Sequence, residues 1–374
     1  MIREADVVIV GGGLHGCSAA LQLALRGRKA IVLERRHVGR HSSGINAGGV
    51  RTLGRHPSEI ALALEGMEMW HRVRELVGDD CGFVACGQVK VAESDGDLAK
   101  LEARAAKVRA LGFSHEEMID RDELRRLMPA LSSHCVGGLI ARRDGAADPY
   151  RTTAAFGARA RASGAEIVEE EAVTGVAHER GAWSVTGSRA TYRAPVLVNA
   201  AGAWASSLAR LAGDVLPLKT RASMMLVTER LPPLVKPVVS AVSRKLSFKQ
   251  TPAGSILIGG GQQGRVDLER ELSWIDVPNL ARAAIAAAAL FPQVRGARIV
   301  RSWCGIEAET PDAIPVIGFS DSAPGLIHVF GFSGHGFQLG PICGVAVAEL
   351  AMHGNTRLPI ADFAPRRFAA QEAA

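Results

Sequence analysis

What this chain lacks narrows its function first. Its Lys and Arg are not gathered into runs with aromatics between them; they alternate with acids, as in Arg121-Asp122-Glu123-Leu124-Arg125-Arg126. The electrostatic footprint of a nucleic-acid binder is therefore missing. The formal charge of +6 reads as a solvated surface, with at most a bias toward anionic substrates. No apolar run reaches the roughly 18 residues needed to cross a bilayer, and the alanine-rich stretch from Ala281 to Leu290 reads as an ordinary helix. The cysteines are Cys17, Cys81, Cys86, Cys135, Cys304 and Cys343, and no two show the C-x-x-C spacing of a zinc or iron–sulfur site. No metal is expected. No leader pattern precedes the first strand, so a reducing cytoplasm with free thiols is the expected location. No internal repeat is visible.

What is present is a globular composition, 47% hydrophobic over 374 residues, which suggests two intergrown domains. The start reads as strand, glycine turn, helix and strand. Asp6–Val10 is a short apolar run suited to a buried parallel strand. Leu14 to Arg26 has helical periodicity stopped by Gly27, and Ala30–Leu33 is a second buried strand closing on Glu34. A Gly/Ser-rich loop runs from Gly39 to Gly49. A long helix is expected over Ser58–Val77, an alternating strand facing water on one side at Gly87–Ala92, and helices near 97–111, 121–128 and 149–163. Short strands fill 165–199, ending on a tight turn at Ala200–Trp204. From about 217 to 306 alternating strands read as an antiparallel sheet, interrupted by a helix near 278–290. Apolar strands return at Ile314–Ile317 and Leu326–Phe330. They precede a Gly-rich loop and a last helix beginning near Pro341, since Pro suits a first helical position. The expected fold is α/β with an α+β insert. Residues 1–80, 142–216 and 307–374 form one discontinuous Rossmann-like domain, and 81–141 and 217–306 form an antiparallel-sheet substrate domain.

Gly11-Gly12-Gly13-Leu14-His15-Gly16 fits G-x-G-x-x-G. It follows a strand, opens a helix and has an acid at the end of the next strand, the context that the dinucleotide fingerprint requires. Gly11 permits the turn, Gly13 lets backbone approach a pyrophosphate at the helix N-terminus, and Gly16 allows close helix–strand packing. Glu34 is placed to accept from ribose hydroxyls. The fingerprint alone leaves FAD and NAD open.

With that fingerprint, three further stretches resemble the D-amino-acid oxidase/sarcosine oxidase family of flavoproteins. They are His41-Ser42-Ser43-Gly44-Ile45-Asn46-Ala47-Gly48-Gly49-Val50-Arg51; Asn199-Ala200-Ala201-Gly202-Ala203-Trp204; and Thr310-Pro311-Asp312-Ala313-Ile314-Pro315-Val316-Ile317-Gly318 followed by the segment Phe330 to Pro341. The last is most similar to catalytic β subunits of hetero-oligomeric sarcosine, proline, opine and hydroxyproline dehydrogenases. The resemblance implies FAD. It implies cofactor contacts from Gly11, Gly13, Leu14, His15, Gly16, Glu34 and Arg35, and from Ser42, Ser43, Gly44, Asn46, Ala47, Gly48 and Gly49. It adds Val173, Ala200, Ala201, Gly202, Trp204 and Gly305, and then Gly334, His335, Gly336, Phe337 and Gln338 at the pyrimidine end of the flavin.

The chain also departs from that family. Some relatives hold the substrate carboxylate with an arginine where Glu307 stands, so another cation must serve: Arg51 first, then Arg221 and Lys249. Monomeric relatives attach flavin to a cysteine near Cys304, which is read here as a structural thiol. They carry a lysine where Gln338 stands; without that cation a dehydrogenase is favoured over an oxidase. His335 is a candidate for contact with flavin or substrate, and His56 for bordering the substrate. The expected activity is hydride transfer to flavin N5 from a secondary or cyclic amino acid. D-hydroxyproline or D-proline comes first, then sarcosine and opines. Catalysis is assigned to Arg51, His335, Gln338, Glu307 and His56. With no cysteine cluster to pass electrons on, other subunits carrying electron-transfer centres are expected. The rivals are a peroxide-forming oxidase, a non-catalytic flavin-binding subunit and, more distantly, an NAD-dependent dehydrogenase.

Overall fold

The computed structural model describes residues 2–371. Its centre is a six-stranded sheet in the order Val316–Phe319, Leu326–Phe330, Val196–Asn199, Val7–Val10, Ala30–Leu33, Glu166–Val168. All neighbours run parallel except the first pair. The alternation of a strand decides what each face buries. Val7 and Ile9 pack with Val32, Val198 and Val329 beneath the helices, while Val8 and Val10 pack with Ile31, Leu33 and Leu197 against Trp183, Val185 and Tyr192. The second group belongs to an antiparallel meander, Val173–Glu179, Ala182–Gly187 and Thr191–Ala194, extended by Ile2–Glu4 pairing parallel to its last strand. The stretch 165–199 thus divides between two sheets, with its first and last strands in the parallel one.

A second sheet of eight strands has the order Ile299–Glu309, Lys219–Arg230, Ser255–Gly259, Ser247–Gln250, Val238–Ala241, Gln88–Ala92, Gly137–Ala141, Glu117–Ile119. It is antiparallel but for the parallel pairing of Val238–Ala241 with Gln88–Ala92. Val89, Val91, Val239, Phe248 and Ile258 turn to one face and bury Ala283, Ala287 and Leu290 of the helix Val277–Leu290. The other residues of the same strands, Gln88, Lys90, Ser240 and Ser247, turn to the opposite face and line a cavity.

Two sequence readings need correction. The expected helix over Ser58–Val77 is two helices, Pro57–His71 and Val73–Val77, because Arg72 leaves helical backbone; the break keeps Val73 and Val77 in the core. The last helix spans Gly336–His353 and contains Pro341 in its interior. Pro341 costs the helix one internal bond, the one its N–H would give the Phe337 carbonyl, and two other carbonyls of the segment are bonded from outside. Trp70 Nε1 donates to the Gln338 carbonyl at 2.8 Å, and Ser18 Oγ donates to the Pro341 carbonyl at 3.2 Å.

Ser18 marks the contact of this helix with the first one, Leu14–Ala24. The two backbones approach so closely that a Cβ at Gly344 would lie 2.1 Å from Ser18 Oγ and 2.6 Å from the Ser18 carbonyl carbon; one at Gly340 would lie 2.4 Å from Leu14 Cδ2. This crossing sets the distance between the two helix N-termini. Gly344→Ala is expected to force the helices apart and cost about 1–3 kcal/mol. Thermal unfolding of the purified protein measures it, and an unchanged midpoint would refute the close-packing account.

Candidate active site

The cavity, about 720 Å³, lies between the C-terminal edge of the parallel sheet and the polar face of the eight-stranded sheet, the edge at which open α/β sheets bind ligands. One end is built on bare backbone. Gly11 adopts φ +113°, and a Cβ there would lie 2.3 Å from the Ala200 carbonyl oxygen; at Gly13 it would meet Ser43 Oγ at 2.9 Å. The helix that begins at Leu14 has no side-chain cap and no acid in its first turn. Its free N–H groups favour an anion, and Ser43 Oγ already accepts from the Leu14 N–H at 3.0 Å. Glu34 closes this end, accepting from the Gly12 N–H at 2.7 Å and the Arg36 N–H at 2.8 Å. Val173, Ala200, Ala201, Gly202, Trp204 and Arg35 line the same region, with the Arg35 guanidinium 4.9 Å from the Trp204 ring.

Ser42, Ser43, Asn46, Ala47 and Gly49 form the middle. Asn46 holds this loop in shape: its Nδ2 donates to the Ser42 and Ser43 carbonyls, and its Oδ1 accepts from the Gly48 N–H at 2.7 Å. At the far end stand Gly334, His335, Gly336 and Phe337, the start of a second helix without a side-chain cap or a first-turn acid. His15 stacks on Phe332 at 3.8 Å, lines the cavity, and leaves a buried Nε2 with no partner among the described residues. Burial lowers its pKa to about 3, so it is neutral. Two helix ends whose N-cap residues offer no side-chain cap, glycine-lined walls and an acid beyond the second strand suit the phosphates and ribose of FAD.

The far end also gathers ionisable groups. Arg51 lines the cavity, donates to the Leu53 carbonyl at 2.7 Å, and has no carboxylate partner among the described residues. Burial and then the Arg55 charge lower its pKa to about 10, leaving it cationic at neutral pH. Its loop is pinned by buried Asp144, which accepts from the Thr52 N–H and hydroxyl and from the Leu53 N–H at 2.7–2.9 Å. Glu307, on the strand Ile299–Glu309, accepts from the Ser223 hydroxyl; burial raises its carboxyl pKa, against the pull of Ser223 and Arg221. Arg221 is itself paired with Glu309 at 2.7 Å. Lys249 lies beside Gly48, 2.9 Å from where a Cβ there would sit, and its pKa is lowered by burial to about 8.

Behind Arg51 lies Arg55, 1% exposed. Its Nε and Nη2 donate to the Arg51 carbonyl, Nη2 also to the His335 carbonyl at 3.1 Å and Gln338 Oε1 at 3.0 Å, and Nη1 is 3.4 Å from Glu59. His335 Nδ1 stands 3.6 Å from the other Glu59 oxygen. Burial and the nearby Arg51 lower the His335 pKa to about 4, leaving it neutral near pH 7.

Several expected contacts need correction. Gln338 is fully buried and turned from the cavity. Its Oε1 serves Arg55 and its Nε2 donates to the Ala63 carbonyl at 2.8 Å, so it braces the site from behind. His56 is exposed and caps the helix Pro57–His71, sharing a 2.7 Å hydrogen bond with Ser58 Oγ; it does not reach the cavity. Gly16, Gly44 and Gly48 are not in the wall either. They allow close packing against the carbonyls of Gly11, Gly39 and Ala147 respectively. Cys304 lines a smaller neighbouring cavity. Sequence reasoning missed Gln88 and Lys90, which face the cavity from a central strand. Their alternation with Val89 and Val91 was visible, but it suggested a water-facing side.

The family model described as FAD dependent oxidoreductase matches residues 6–350. Hydrogen cyanide synthase subunit HcnC of Pseudomonas aeruginosa is 27% identical, over 100% of this chain and 99% of that protein. Sarcosine oxidase subunit beta of Rhizobium meliloti is 27% identical, over 97% and 88%. The crystal structure of L-proline dehydrogenase from P. horikoshii superposes with a TM-score of 0.92 at 26% identity, covering 99% of both chains.

Removing Arg55 leaves Glu59 buried without its counter-charge, so Arg55→Met is expected to cost about 3–5 kcal/mol, read by denaturant unfolding. The wild type should also weaken in acid. Burial opposes ionisation of Glu59, but His335, Arg55 and the His56 N–H outweigh it and hold its pKa at about 2, below the ordinary 4.5. His335 likewise sits at about 4 against 6.5. In both cases the unfolded chain binds more protons, so stability should fall from pH 6.5 downward and continue to about 2. A flat profile between pH 6.5 and 4 would contradict this account.

Proposed function

We propose that this chain, which belongs to the FAD-dependent oxidoreductase family, oxidises a secondary or cyclic amino acid held by its carboxylate on Arg51 and by its amine toward Glu307. That it is an FAD enzyme acting on amino-acid C–N bonds follows from the family and its relatives. The narrower reading rests on one observation. Arg51, a half-buried cation with no carboxylate partner among the described residues, shares the cavity with Glu307, a half-buried acid of raised pKa on a separate wall.

When bound, FAD supplies a two-electron acceptor beside the α-carbon. The protein's own task is to deliver the amine deprotonated and the α C–H in position. Glu307 takes the ammonium proton: its raised pKa brings it closer to the amine it must deprotonate. Arg51 fixes the carboxylate, and its own loop is fixed by Asp144 and Arg55. Neutral His335 lines the cavity beside the first turn of the last helix, whose positive end favours negative charge accumulating there. The product is the imine, with the carboxylate still on Arg51.

We place the chain as the catalytic subunit of a hetero-oligomer. Two relatives are named as subunits. In this reading a further redox centre belongs to a partner. A peroxide-forming oxidase is the second reading, favoured by Lys249, a desolvated cation beside the Gly48 loop.

Anaerobic titration of the purified flavoprotein with D-proline, cis-4-hydroxy-D-proline, sarcosine and an opine tests the activity. Bleaching by at least one is expected, and oxygen uptake afterward separates the two readings. No bleaching, alone or with co-expressed partners, would refute amine oxidation. For the responding substrate, kcat/KM should rise with pH through a limb above the ordinary 4.5 of a glutamate. Glu307→Gln should lower kcat/KM by ~10²–10⁴-fold and remove that limb. A limb that survives the substitution would assign the proton elsewhere.

A further inference from the structure

We propose that Ser223 and Glu309 are positioning residues for the proton transfer: Ser223 occupies Glu307 Oε1, Glu309 holds Arg221 off that carboxylate, and Oε2 is left as the atom that takes the amine proton. This rests on the amine-oxidation reading above and goes one layer behind it.

Ser223, on the strand Lys219–Arg230, pairs with Gly305 across the strand pair, and its hydroxyl donates to Glu307 Oε1. The direction of that hydroxyl is set by Gln263, whose Nε2 donates to Ser223 Oγ at 3.3 Å. Gln263 is itself held against the strand. It forms a bridge with Ser223, and its carbonyl accepts from Asn279 Nδ2 at 2.8 Å. Amide, hydroxyl and carboxylate thus form a directed chain in which each donor points toward Glu307. Such a chain strengthens when its last acceptor is charged, so it favours the ionised carboxylate. No hydrogen bond to Oε2 occurs among the described residues. Oε2 turns instead toward Gly334, 3.9 Å from where a Cβ there would lie, beside the start of the last helix.

Arg221 would quench this base if it were free. It stands directly opposite Glu307 in the strand pair, yet its Nη1 donates to Glu309 at 2.7 Å. Glu309 therefore absorbs the cation that would otherwise lock Glu307 in a charged, weakly basic form. The other charges near the carboxylate are few. His335, next to Gly334, is neutral near pH 7, and Arg51 stands on another wall of the cavity. His41 and Glu271 meet this strand at Cys304 and Ile306, the alternate positions. Burial raises the Glu307 carboxyl, Ser223 and then Arg221 pull it down, and Glu309 pushes it up.

The test follows kcat/KM against pH on the FAD-loaded protein, with whichever of D-proline, cis-4-hydroxy-D-proline, sarcosine or an opine bleaches it. The rate rises as Glu307 loses its proton, so the midpoint of the acid limb follows this carboxyl. Ser223→Ala should move the midpoint up by about one pH unit, about tenfold in kcat/KM on the acid side. Ser223→Thr should return it, and Gln263→Leu should move it up by less. Glu309→Gln should move it down, because Arg221 is released toward Glu307. Loosened packing does not give shifts of opposite sign, and a midpoint does not depend on how much of the protein is active. The infrared C=O stretch of the protonated carboxyl, assigned by its loss in Glu307→Gln, follows the same titration without turnover. A limb that vanishes in Glu307→Gln but keeps its midpoint in Ser223→Ala or Glu309→Gln would overturn this inference and leave Glu307 as the base. An unchanged midpoint in Gln263→Leu takes Gln263 out of the chain. A limb that survives Glu307→Gln removes base and positioning residues together. If no amine is oxidised, the amine-oxidation reading falls, and this inference with it.

Discussion

The site depends on one buried guanidinium. Arg55 is wholly inside the protein and spends its donors on three separate pieces of chain: the Arg51 carbonyl, the His335 carbonyl with Gln338, and Glu59. The first belongs to the substrate-facing loop, the second to the start of the last helix, and the third to the helix Pro57–His71. A buried ion pair returns little net stability, because desolvating both charges costs about what their attraction gives. What Arg55 contributes is register. It fixes where the Arg51 side chain leaves its loop relative to the Gly336 helix end, and thereby, in the proposed binding mode, where a substrate carboxylate would sit.

That register has a reason to be held from behind. The front of the site is an arrangement of positive ends: two helix N-termini without first-turn acids, Arg51 and Lys90. Without ligands such groups repel one another, and nothing in the cavity itself holds them at fixed spacing. The compensating groups lie one layer back. Asp144 clamps the backbone of Thr52 and Leu53, Glu116 clamps Gly54, and Glu59 stands behind Arg55 and His335. Around the Arg51 loop the protein thus carries these acids behind the wall and its cations in it, a preorganised field suited to an anionic cofactor.

How much of this was legible in the sequence follows from how local each feature is. The glycine turn and the acid beyond the next strand could be read because strand, turn, helix and strand are consecutive, and each residue's task is set by its own backbone. The parallel sheet could be read because both of its faces are buried and its strands are continuous apolar runs. Gln338 and His56 were misplaced because position in a motif does not fix side-chain direction. Gln338 has a cavity on one side and Arg55 on the other, and only the tertiary packing decides between them. The last helix was started at Pro341 by a sound local rule, but the chain is already helical from Gly336, in a turn where Trp70, remote in sequence, bonds the Gln338 carbonyl. Lys90 was invisible for the opposite reason. An alternating strand with a lysine resembles a half-exposed surface strand, and nothing local tells that its polar face is roofed by a loop some forty residues earlier.

The exchange of charge at position 307 then takes on meaning. Where the resembling family carries an arginine, this chain has a carboxylate of raised pKa, and the cations lie instead on the Arg51 loop and the Lys90 strand. A zwitterionic substrate cannot keep the same orientation under such a swap. In the binding mode proposed above, its carboxylate turns toward Arg51 and its nitrogen toward Glu307, since the reverse pose would set like charges together in a site with little water to screen them. The order of charges across the cavity therefore does more than bind. In the proposed binding mode it also selects which of the substrate's ends faces which wall.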